Sequence, residues 1–538
     1  MNGPVVLGLI LRTLFSSLAY DVERPTKLGP VGGRKVQVLG TTIEEYRGIP
    51  YAEPPVGELR FKPPVPAKAW DGTLDASSHR TGCPQMNARG GGLLSGDIKY
   101  GEDCLHLNVW TAEGNRKRPV LVWIHGGGFN YGSASYDNYT GAVIAAKTGL
   151  VVASINYRLG VLGFLNADTP EAPGNVGLLD QNLALKWIKK NIRNFGGDPT
   201  RITLFGESAG AMSVHAHLLS PMSRGLFHRA IAMSGAMGTP DFSEPVHRSV
   251  AKGDAVAAIV GCRSAGVTLD SQPGSVIGCL RKKSADELVV ASSEAVPGKF
   301  FPFVPTYHDQ FLPKVPAVAV RKGFFDASVD LLTGVTSDEG VTALVWPRPW
   351  PELLSDQLDS MDREALKSSL TQAVSAWTSD DAAELLEQYA ARSTDGAGLR
   401  RQLVDYLSER LFVCPMHAAA AAHASRNGSV HSYVFDQWSS SRPQLSWAGV
   451  GHGMDLVYTF GLPLLHPEHF GDRDARASEN LLAMIATFAE KGVPEYPGGP
   501  VWPKYSADSP VSLRLAHDNV NEVFGFGSEN CDIFRQYF

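Results

Sequence analysis

The run Gly206-Glu207-Ser208-Ala209-Gly210 constrains the fold more than any other part of this chain. It lies between an apolar stretch, 202–205, and a stretch compatible with a helix, 211–219. At such a strand-to-helix switch, a Gly-x-Ser-x-Gly pattern is typical of a nucleophile elbow, where the glycines permit a turn tight enough to expose the serine hydroxyl above the sheet. The alternative is an ordinary turn rich in glycine and serine. A base, an acid and an oxyanion hole elsewhere in the chain would decide between the two.

Strand and helix patterns alternate around this run. Short apolar runs rich in β-branched residues predict buried strands at 120–124 and 151–155, and another apolar run follows at 230–233. Apolar residues at helical spacing predict a helix over 178–195, which the Gly-Gly-Asp-Pro sequence at 196–199 ends. The alternation predicts an α/β fold with a mostly parallel sheet that helices cover on both faces.

The second half of the chain is richer in helix patterns. Candidate helices cover 400–424, with an interruption near Pro415, and 480–491, while 432–435 predicts one more strand. We find neither an internal repeat nor a segment with the composition of a linker. Residues 20–538 are therefore predicted to form a single large domain with helical excursions.

Composition excludes several classes of function. Hydrophobic residues make up 43% of the 538 residues and charged residues 19%, as in ordinary soluble globular proteins. The formal net charge of −6 is mild and the chain has no long basic run, so nucleic acid is not an expected partner. After the N-terminal segment, no stretch has the roughly 20 uninterrupted apolar residues of a membrane span.

Several features predict export from the cell. Residues 1–19 resemble a secretory signal that ends in small residues, although Arg12 interrupts the apolar part and no basic residue precedes it. The six cysteines, an even number, agree with an oxidising compartment. Glycan acceptor patterns begin at Asn138 and Asn427 and apply only to an exported chain. A ragged N-terminus, with an enzyme in the cytoplasm or the lumen of the endoplasmic reticulum, is the alternative.

A glycine cluster directly follows the strand predicted at 120–124. The sequence His125-Gly126-Gly127-Gly128 places backbone N–H groups at the carboxyl end of a strand with no Cβ atoms to obstruct them, as an oxyanion hole requires. A flexible turn would have a similar composition. The pairing with a later Gly-x-Ser-x-Gly favours the oxyanion hole, because the two motifs act together in esterases.

An acid and a base are then expected after the serine, in that order. The loop 334–340 contains Asp338 and Glu339, and the glycine-rich loop 449–453 contains His452. A side chain on a loop can reach across a cleft, so both loops are suitable. The residues alone do not choose between Asp338 and Glu339.

Longer stretches of the chain resemble the type-B carboxylesterase/cholinesterase family of α/β-hydrolases, from about Lys35 to Phe538. The stretches that carry the resemblance are 46–52, 102–109, 122–129, 156–158, 174–181 and 205–211. The resemblance implies one α/β-hydrolase domain over 20–538, with a large central sheet flanked by helices and helical excursions over the active site.

The resemblance implies a catalytic triad with Ser208 as nucleophile, Glu339 as acid and His452 as base. Glu339 is preferred to Asp338 because the family places its acid directly before the glycine of this loop. It also implies an oxyanion hole built from three backbone N–H groups, those of Gly127, Gly128 and Ala209. Such a site cleaves an ester through an acyl-enzyme and requires no metal or cofactor.

The same resemblance implies a set of structural cross-links. The family's disulfide pattern gives the pairs Cys83–Cys104, Cys262–Cys279 and Cys414–Cys531, the last of which cholinesterases have and many carboxylesterases lack. The ion pairs Arg47–Glu102 and Arg158–Asp180 match structural pairs of the family.

Departures from the cholinesterase pattern concern the binding of choline. The loop between Cys83 and Cys104 contains no tryptophan, whereas cholinesterases hold choline there by a cation–π contact. Val341 and Thr342 stand where cholinesterases carry an aromatic residue lining the gorge. A site for a quaternary ammonium group is therefore not expected.

Other residues are candidates for the substrate pocket. Phe301 stands at one aromatic position of the acyl pocket and Lys299 at the other, which predicts a pocket of altered size. Trp447 matches a position near the gorge, with simple packing as the alternative. Glu207 is a candidate to tune His452 electrostatically or to bind buried water, and juvenile-hormone esterases tend to have glutamine there.

The sequence thus predicts a secreted serine carboxylesterase that acts on small-molecule esters as a monomer or homodimer, with no stable membrane anchor. A cholinesterase or a juvenile-hormone-type esterase is the alternative. A remoter alternative is a non-catalytic adhesion protein of the neuroligin kind, against which the intact triad positions argue.

Overall fold

The computed structural model describes residues 20–86, 98–114, 116–238, 240–345, 351–354, 358, 363–378, 387–389, 391–393, 395–439, 447–516, 519–535 and 537. The predicted signal segment, 1–19, lies outside the described residues. Within those ranges, no helix combines the length and the apolar character that crossing a bilayer requires.

One large sheet forms the centre of the fold. In the described residues it has 13 strands, in the spatial order β1-β2-β3-β5-β7-β6-β10-β11-β14-β15-β16-β17 with β4 beside β2, and two small two-stranded sheets accompany it. The strands are β1 Val22–Arg24, β2 Val31–Val38, β3 Thr41–Pro50, β4 Leu74–Asp75, β5 His106–Ala112, β6 Arg118–Ile124, β7 Val151–Ile155, β8 Asn166–Thr169, β9 Ala172–Pro173, β10 Gly197–Glu207, β11 Arg229–Met233, β12 Glu244–Pro245, β13 Thr306–Tyr307, β14 Asp330–Thr336, β15 Val430–Phe435, β16 Val511–Leu515 and β17 Val520–Phe524. All pairs from β7 through β16 in this order are parallel, and antiparallel pairs close both edges.

Helices pack on both faces of this sheet. The α-helices are Ala142–Thr148, Gly160–Phe164, Val176–Asn191, Ala209–Leu219, Val246–Ile259, Pro273–Leu280, Ala285–Ala295, Pro316–Lys322, Thr342–Val345, Pro351–Leu354, Arg363–Trp377, Gly396–Ser408, Cys414–Ala424, Leu456–Thr459, Leu462–Leu465 and Asp472–Lys491. Alternate residues of β6 show why two helical layers are needed. Val120 and Val122 belong to one buried cluster, and Leu121 and Trp123 belong to another on the opposite face.

The predicted mostly parallel α/β sheet is therefore confirmed. The predicted strands at 120–124, 151–155 and 230–233 lie within β6, β7 and β11, and the helix predicted over 178–195 is an α-helix at Val176–Asn191 followed by a 3₁₀ turn at Ile192–Phe195.

The interruption predicted near Pro415 is a π-helical turn. It covers Glu409–Val413 and joins the helices Gly396–Ser408 and Cys414–Ala424. Proline has no N–H to bond the carbonyl four residues back, and its ring crowds that carbonyl. The backbone hydrogen-bond pattern of the helix therefore changes just before it.

Three disulfides join Cys83 to Cys104, Cys262 to Cys279 and Cys414 to Cys531. They lie at three separate places in the fold, and no free cysteine remains in the described part of the chain.

One of the two predicted ion pairs is wrong. Arg158 and Asp180 form a fully buried pair at 2.7 Å, as expected. Arg47 instead contacts Glu45 at 2.7 Å, because residues two apart on β3 share one face of the strand. Glu102 accepts two hydrogen bonds from Arg60, at 2.7 and 2.6 Å.

Candidate active site

Ser208 occupies the sharp turn between β10 and the helix Ala209–Leu219. Its backbone has φ 56° and ψ −124°, a combination that is rare for a residue with a side chain and is typical of functional turns. The turn also needs glycine at position 210, where an added methyl group would lie 2.1 Å from the carbonyl oxygen of Ile124. The Ser208 amide donates to the carbonyl of Met233 at 2.9 Å and fixes the turn on β11. This is the geometry of a nucleophile elbow.

Parallel strands bring the other predicted residues to the same edge of the sheet. The glycine cluster follows β6, Ser208 follows β10 and Glu339 follows β14, and carboxyl ends of parallel strands meet at one edge. His452 arrives from a separate loop, where its amide donates to the Glu339 carbonyl at 3.3 Å. Thr342 Oγ1 holds the carbonyl of His452 at 3.0 Å.

The structure places Glu339, rather than Asp338, against the imidazole. Nδ1 of His452 lies 2.6 Å from Oε2 of Glu339, and the other carboxylate oxygen of Glu339 accepts from the amide of Thr336 at 2.7 Å. Asp338 faces elsewhere: it pairs with Arg401 at 2.5 Å and accepts from the amide of Val450.

The other imidazole nitrogen faces Glu207. Nε2 of His452 lies 3.2 Å from Oε1 of Glu207, so the buried ring stands between two carboxylates. Burial opposes a charge on His452, but the negative charges of Glu207 and Glu339, with the hydrogen bond that the ring donates to Glu339, outweigh it and raise the pKa of His452 to about 9. Burial raises the pKa of Glu207 to about 7, against the lowering effect of the charge on His452. Proton uptake at this ring is therefore strongly coupled to Glu207.

Asp455, a further acid beside this cluster, is completely buried, and neither of its carboxylate oxygens has a hydrogen-bond partner among the residues that the structure describes. Burial, reinforced by the charges of Glu207 and Glu339, raises the pKa of Asp455 well above its usual range. The buried site therefore favours the protonated form of Asp455 more than an exposed position would.

Phe412 packs on the imidazole of His452, a contact that the sequence did not predict. The two ring centroids are 4.3 Å apart and the planes are inclined by 30°. Phe412 belongs to the π-helical turn Glu409–Val413. Pro415 within a helical pattern was the only sequence signal of this turn, and π-turns often occur at functional sites.

The glycine cluster lies directly against the serine. A methyl group added at Gly126 would be 3.0 Å from Cβ of Ser208. The backbone at Gly128 has φ 58°, which favours glycine. Within the described residues, the amides of Gly127, Gly128 and Ala209 donate no hydrogen bond, so they are available to bind an oxyanion.

Phe301 lies against the predicted oxyanion loop, because a methyl group at Gly128 would come within 2.1 Å of its ring. Trp377, which the sequence analysis did not single out, packs edge-to-face on Phe301 with centroids 5.2 Å apart. Lys299 is held by the backbone on either side of Trp377, because its ammonium group donates to the carbonyls of Ser375 and Thr378 at 2.6 Å each. The wall beside the predicted oxyanion loop is thus aromatic.

Trp447 makes a cation–π contact with the side chain of Arg400. The guanidinium carbon of Arg400 lies 3.8 Å from the Trp447 ring centroid, and the Arg400 side chain is itself buried. This contact favours the packing role of Trp447 over a role in binding substrate.

The two glycan acceptor residues differ in accessibility. Asn427 is exposed in the turn after the helix Cys414–Ala424, whereas Asn138 is half-buried in the 3₁₀ turn Asp137–Tyr139. Across the described ranges, no group of three or more His, Cys, Asp or Glu side chains is placed to hold a metal ion.

Comparison with known proteins finds similar sequences over nearly the whole chain. The sequence profile of the carboxylesterase family matches residues 21–533. The chain is 35% identical over 515 residues to the acetylcholinesterase of Bungarus fasciatus. The matched region covers 92% of this chain and 83% of that protein.

Proposed function

Since the chain belongs to the carboxylesterase family and is therefore a serine-based carboxylic ester hydrolase, we propose that it is a secreted carboxylesterase that cleaves small neutral esters with Ser208, His452 and Glu339. The observation that carries this proposal is the arrangement of three elements at one edge of the sheet. They are the strained elbow at Ser208, the glycine loop beside it, and the His452–Glu339 hydrogen bond of 2.6 Å.

Catalysis begins with a neutral His452, which removes the proton of Ser208 as the serine oxygen attacks the ester carbonyl. Glu339 holds the ring through Nδ1 and stabilises the imidazolium that forms. His452 then gives the proton to the leaving alcohol, and water attacks the acyl-enzyme by the same steps in reverse. Because only the neutral ring can accept this proton, the enzyme is most active where His452 has lost its proton. Glu207 favours the protonated ring and so raises the pH at which this happens.

The negative charge that develops on the carbonyl oxygen is bound by the amides of Gly127, Gly128 and Ala209. Each such donor contributes about 10²–10³-fold in rate in comparable enzymes. Ala209 is the first residue of a helix, and the helix dipole adds partial positive charge at the same point.

The choice between a carboxylesterase and a cholinesterase rests on the alcohol side of the site. The Arg400 guanidinium lies over one face of Trp447, and Val341 and Thr342 replace the gorge aromatic, so both positions offer less aromatic surface to a quaternary ammonium group. These features support esters with a neutral alcohol group.

Secretion is supported by three disulfides, since such bonds persist in oxidising compartments. The exposed Asn427 would then be the better placed glycan acceptor. The mature protein is proposed to be one domain over 20–538, with the segment 1–19 removed.

Hydrolysis of p-nitrophenyl butyrate tests the proposal. The parent protein should show saturable hydrolysis, and Ser208→Ala should reduce kcat by about 10⁴-fold or more. Ser220→Ala is the matched control, because Ser220 is a buried serine at the other end of the same helix. Equal activity in the Ser208→Ala and Ser220→Ala variants would remove Ser208 from the mechanism.

A further inference from the structure

A single side chain, Asn130, joins two segments that the proposed mechanism uses separately. Its Nδ2 donates to the carbonyl of Gly128 at 2.7 Å and to the carbonyl of Phe303 at 2.9 Å, across 173 positions of sequence. Both partners are carbonyl oxygens, which can only accept, so the amide NH₂ group and not Oδ1 must face them. The side chain is buried, which strengthens both bonds.

One end of this connection fixes the oxyanion loop. The backbone amides of Asn130 and Tyr131 donate to the carbonyl of Gly127 at 3.0 and 2.9 Å. In a trans peptide the C=O and N–H groups point to opposite sides, so bonds to the Gly127 carbonyl aim the N–H of Gly128. The Asn130 side chain fixes the next peptide group along the chain by donating to the Gly128 carbonyl.

The other end fixes the wall of the acyl pocket. Phe303 lies two residues after Phe301, whose ring rests on Gly128. The Lys252 ammonium group holds the intervening carbonyl of Pro302 and pairs with Glu244 at 2.6 Å. Two polar side chains, those of Lys252 and Asn130, therefore hold the segment 301–303. Among the described hydrogen bonds, Asn130 is the only side chain that links this segment to the oxyanion loop.

We propose that Asn130 is a positioning residue that couples the acyl pocket to the oxyanion hole. This inference rests on the proposed function of Gly128 and Phe301. An acyl group that displaces Phe301 pulls on the Phe303 carbonyl, and the Asn130 amide passes that displacement to Gly128. An ester with a poorly fitting acyl chain then not only binds more weakly but also reacts with a lower kcat, because the oxyanion donor moves.

The variant Asn130→Asp tests the coupling with little change in shape. The carboxylate of the aspartate cannot donate to two carbonyl oxygens, whereas Asn130→Ala removes the amide without adding a charge. Asn182→Asp is the matched control. Asn182 is also buried, and its Nδ2 donates to the carbonyl of Met222 at 3.1 Å and to Ser223 Oγ at 3.0 Å, in another part of the fold.

Two measurements are made on the full-length parent and the three variants. Hydrogen exchange with mass spectrometry follows peptides covering 126–131 and 299–304. Steady-state kinetics compares p-nitrophenyl acetate with p-nitrophenyl hexanoate. We expect both Asn130 variants to exchange faster in both peptides and to lose kcat by about tenfold or more, with KM changed much less, since an oxyanion donor is displaced. Asn182→Asp should show neither effect.

Unchanged exchange in either peptide of both Asn130 variants would overturn the coupling. Faster exchange with unchanged kcat would remove its catalytic role. A loss that Asn182→Asp reproduces would show a general loss of stability instead. Should the parent not hydrolyse esters, the proposed function fails, and the exchange pattern still decides whether Asn130 joins the two segments.

Discussion

Nδ1 of His452 lies 2.6 Å from the carboxylate of Glu339, while the adjacent carboxylate of Asp338 is bound by Arg401. Two neighbouring acids on one loop thus point to different partners. The amide of Thr336 fixes Glu339 from the other side, so the orientation of His452 depends on a buried carboxylate with both oxygens bound.

Glu339→Gln should therefore reduce kcat by about 10⁴-fold, because the imidazole loses the charge that stabilises its protonated form and selects its tautomer. Asp338→Asn is the paired control, and its kcat should stay within about tenfold of the parent value, since the partners of Asp338 are the exposed side chain of Arg401 and the amide of Val450 rather than the imidazole. Steady-state kinetics with one p-nitrophenyl ester measures both. Similar losses in the two variants would show that the acid is not Glu339 alone.

The pH dependence of kcat/KM should respond to Glu207. The negative charge of Glu207 contributes to a pKa of about 9 for His452, and Glu207→Gln removes that charge. The pKa of His452 then falls, the neutral base persists to lower pH, and the acid limb of the profile moves to lower pH by about one pH unit or more. Profiles measured from pH 5 to 10 test this, and a limb that stays in place or moves upward contradicts it.

Phe301→Ala should enlarge the acyl pocket. Removing the ring that rests on Gly128 leaves space beside the acyl carbonyl, so the ratio of kcat/KM for p-nitrophenyl hexanoate to that for acetate should rise by about tenfold. Phe195→Ala is a control for stability, because Phe195 is a buried phenylalanine packed on Tyr46 and Trp187. An unchanged ratio in Phe301→Ala would place the acyl chain elsewhere.

Acetylthiocholine should be no better a substrate than its neutral isostere, 3,3-dimethylbutyl thioacetate. The loop between Cys83 and Cys104 has no tryptophan to hold choline by a cation–π contact, and Arg400 covers one face of Trp447. Comparing kcat/KM for the two thioesters is a direct test. A marked preference for acetylthiocholine, with inhibition by excess substrate, would assign the chain to the cholinesterases.

Local patterns in the sequence were sufficient for the sheet and the elbow. The runs at 120–124 and 151–155 carry the periodicity of buried strands, and the glycines around Ser208 report a backbone constraint that lies within a few residues. A resemblance over long stretches was needed to select Glu339, since the loop itself offers two acids.

Contacts between distant segments were beyond such patterns. The pairing of Glu102 with Arg60, the packing of Phe412 on His452 and the bond of Asn130 to Phe303 depend on how separate elements meet in space. Nothing in the residues around Asn130 distinguishes it from any other asparagine in a glycine-rich turn, because its second partner lies 173 positions away.

The most direct test of the proposed role of Ser208 is titration of the protein with an organophosphate, followed by peptide mass spectrometry. We expect one phosphyl group per molecule, located on Ser208, with loss of ester hydrolysis in proportion to the modified fraction. Full activity after complete modification, or an adduct on a residue other than Ser208 that accounts for the inactivation, would contradict it.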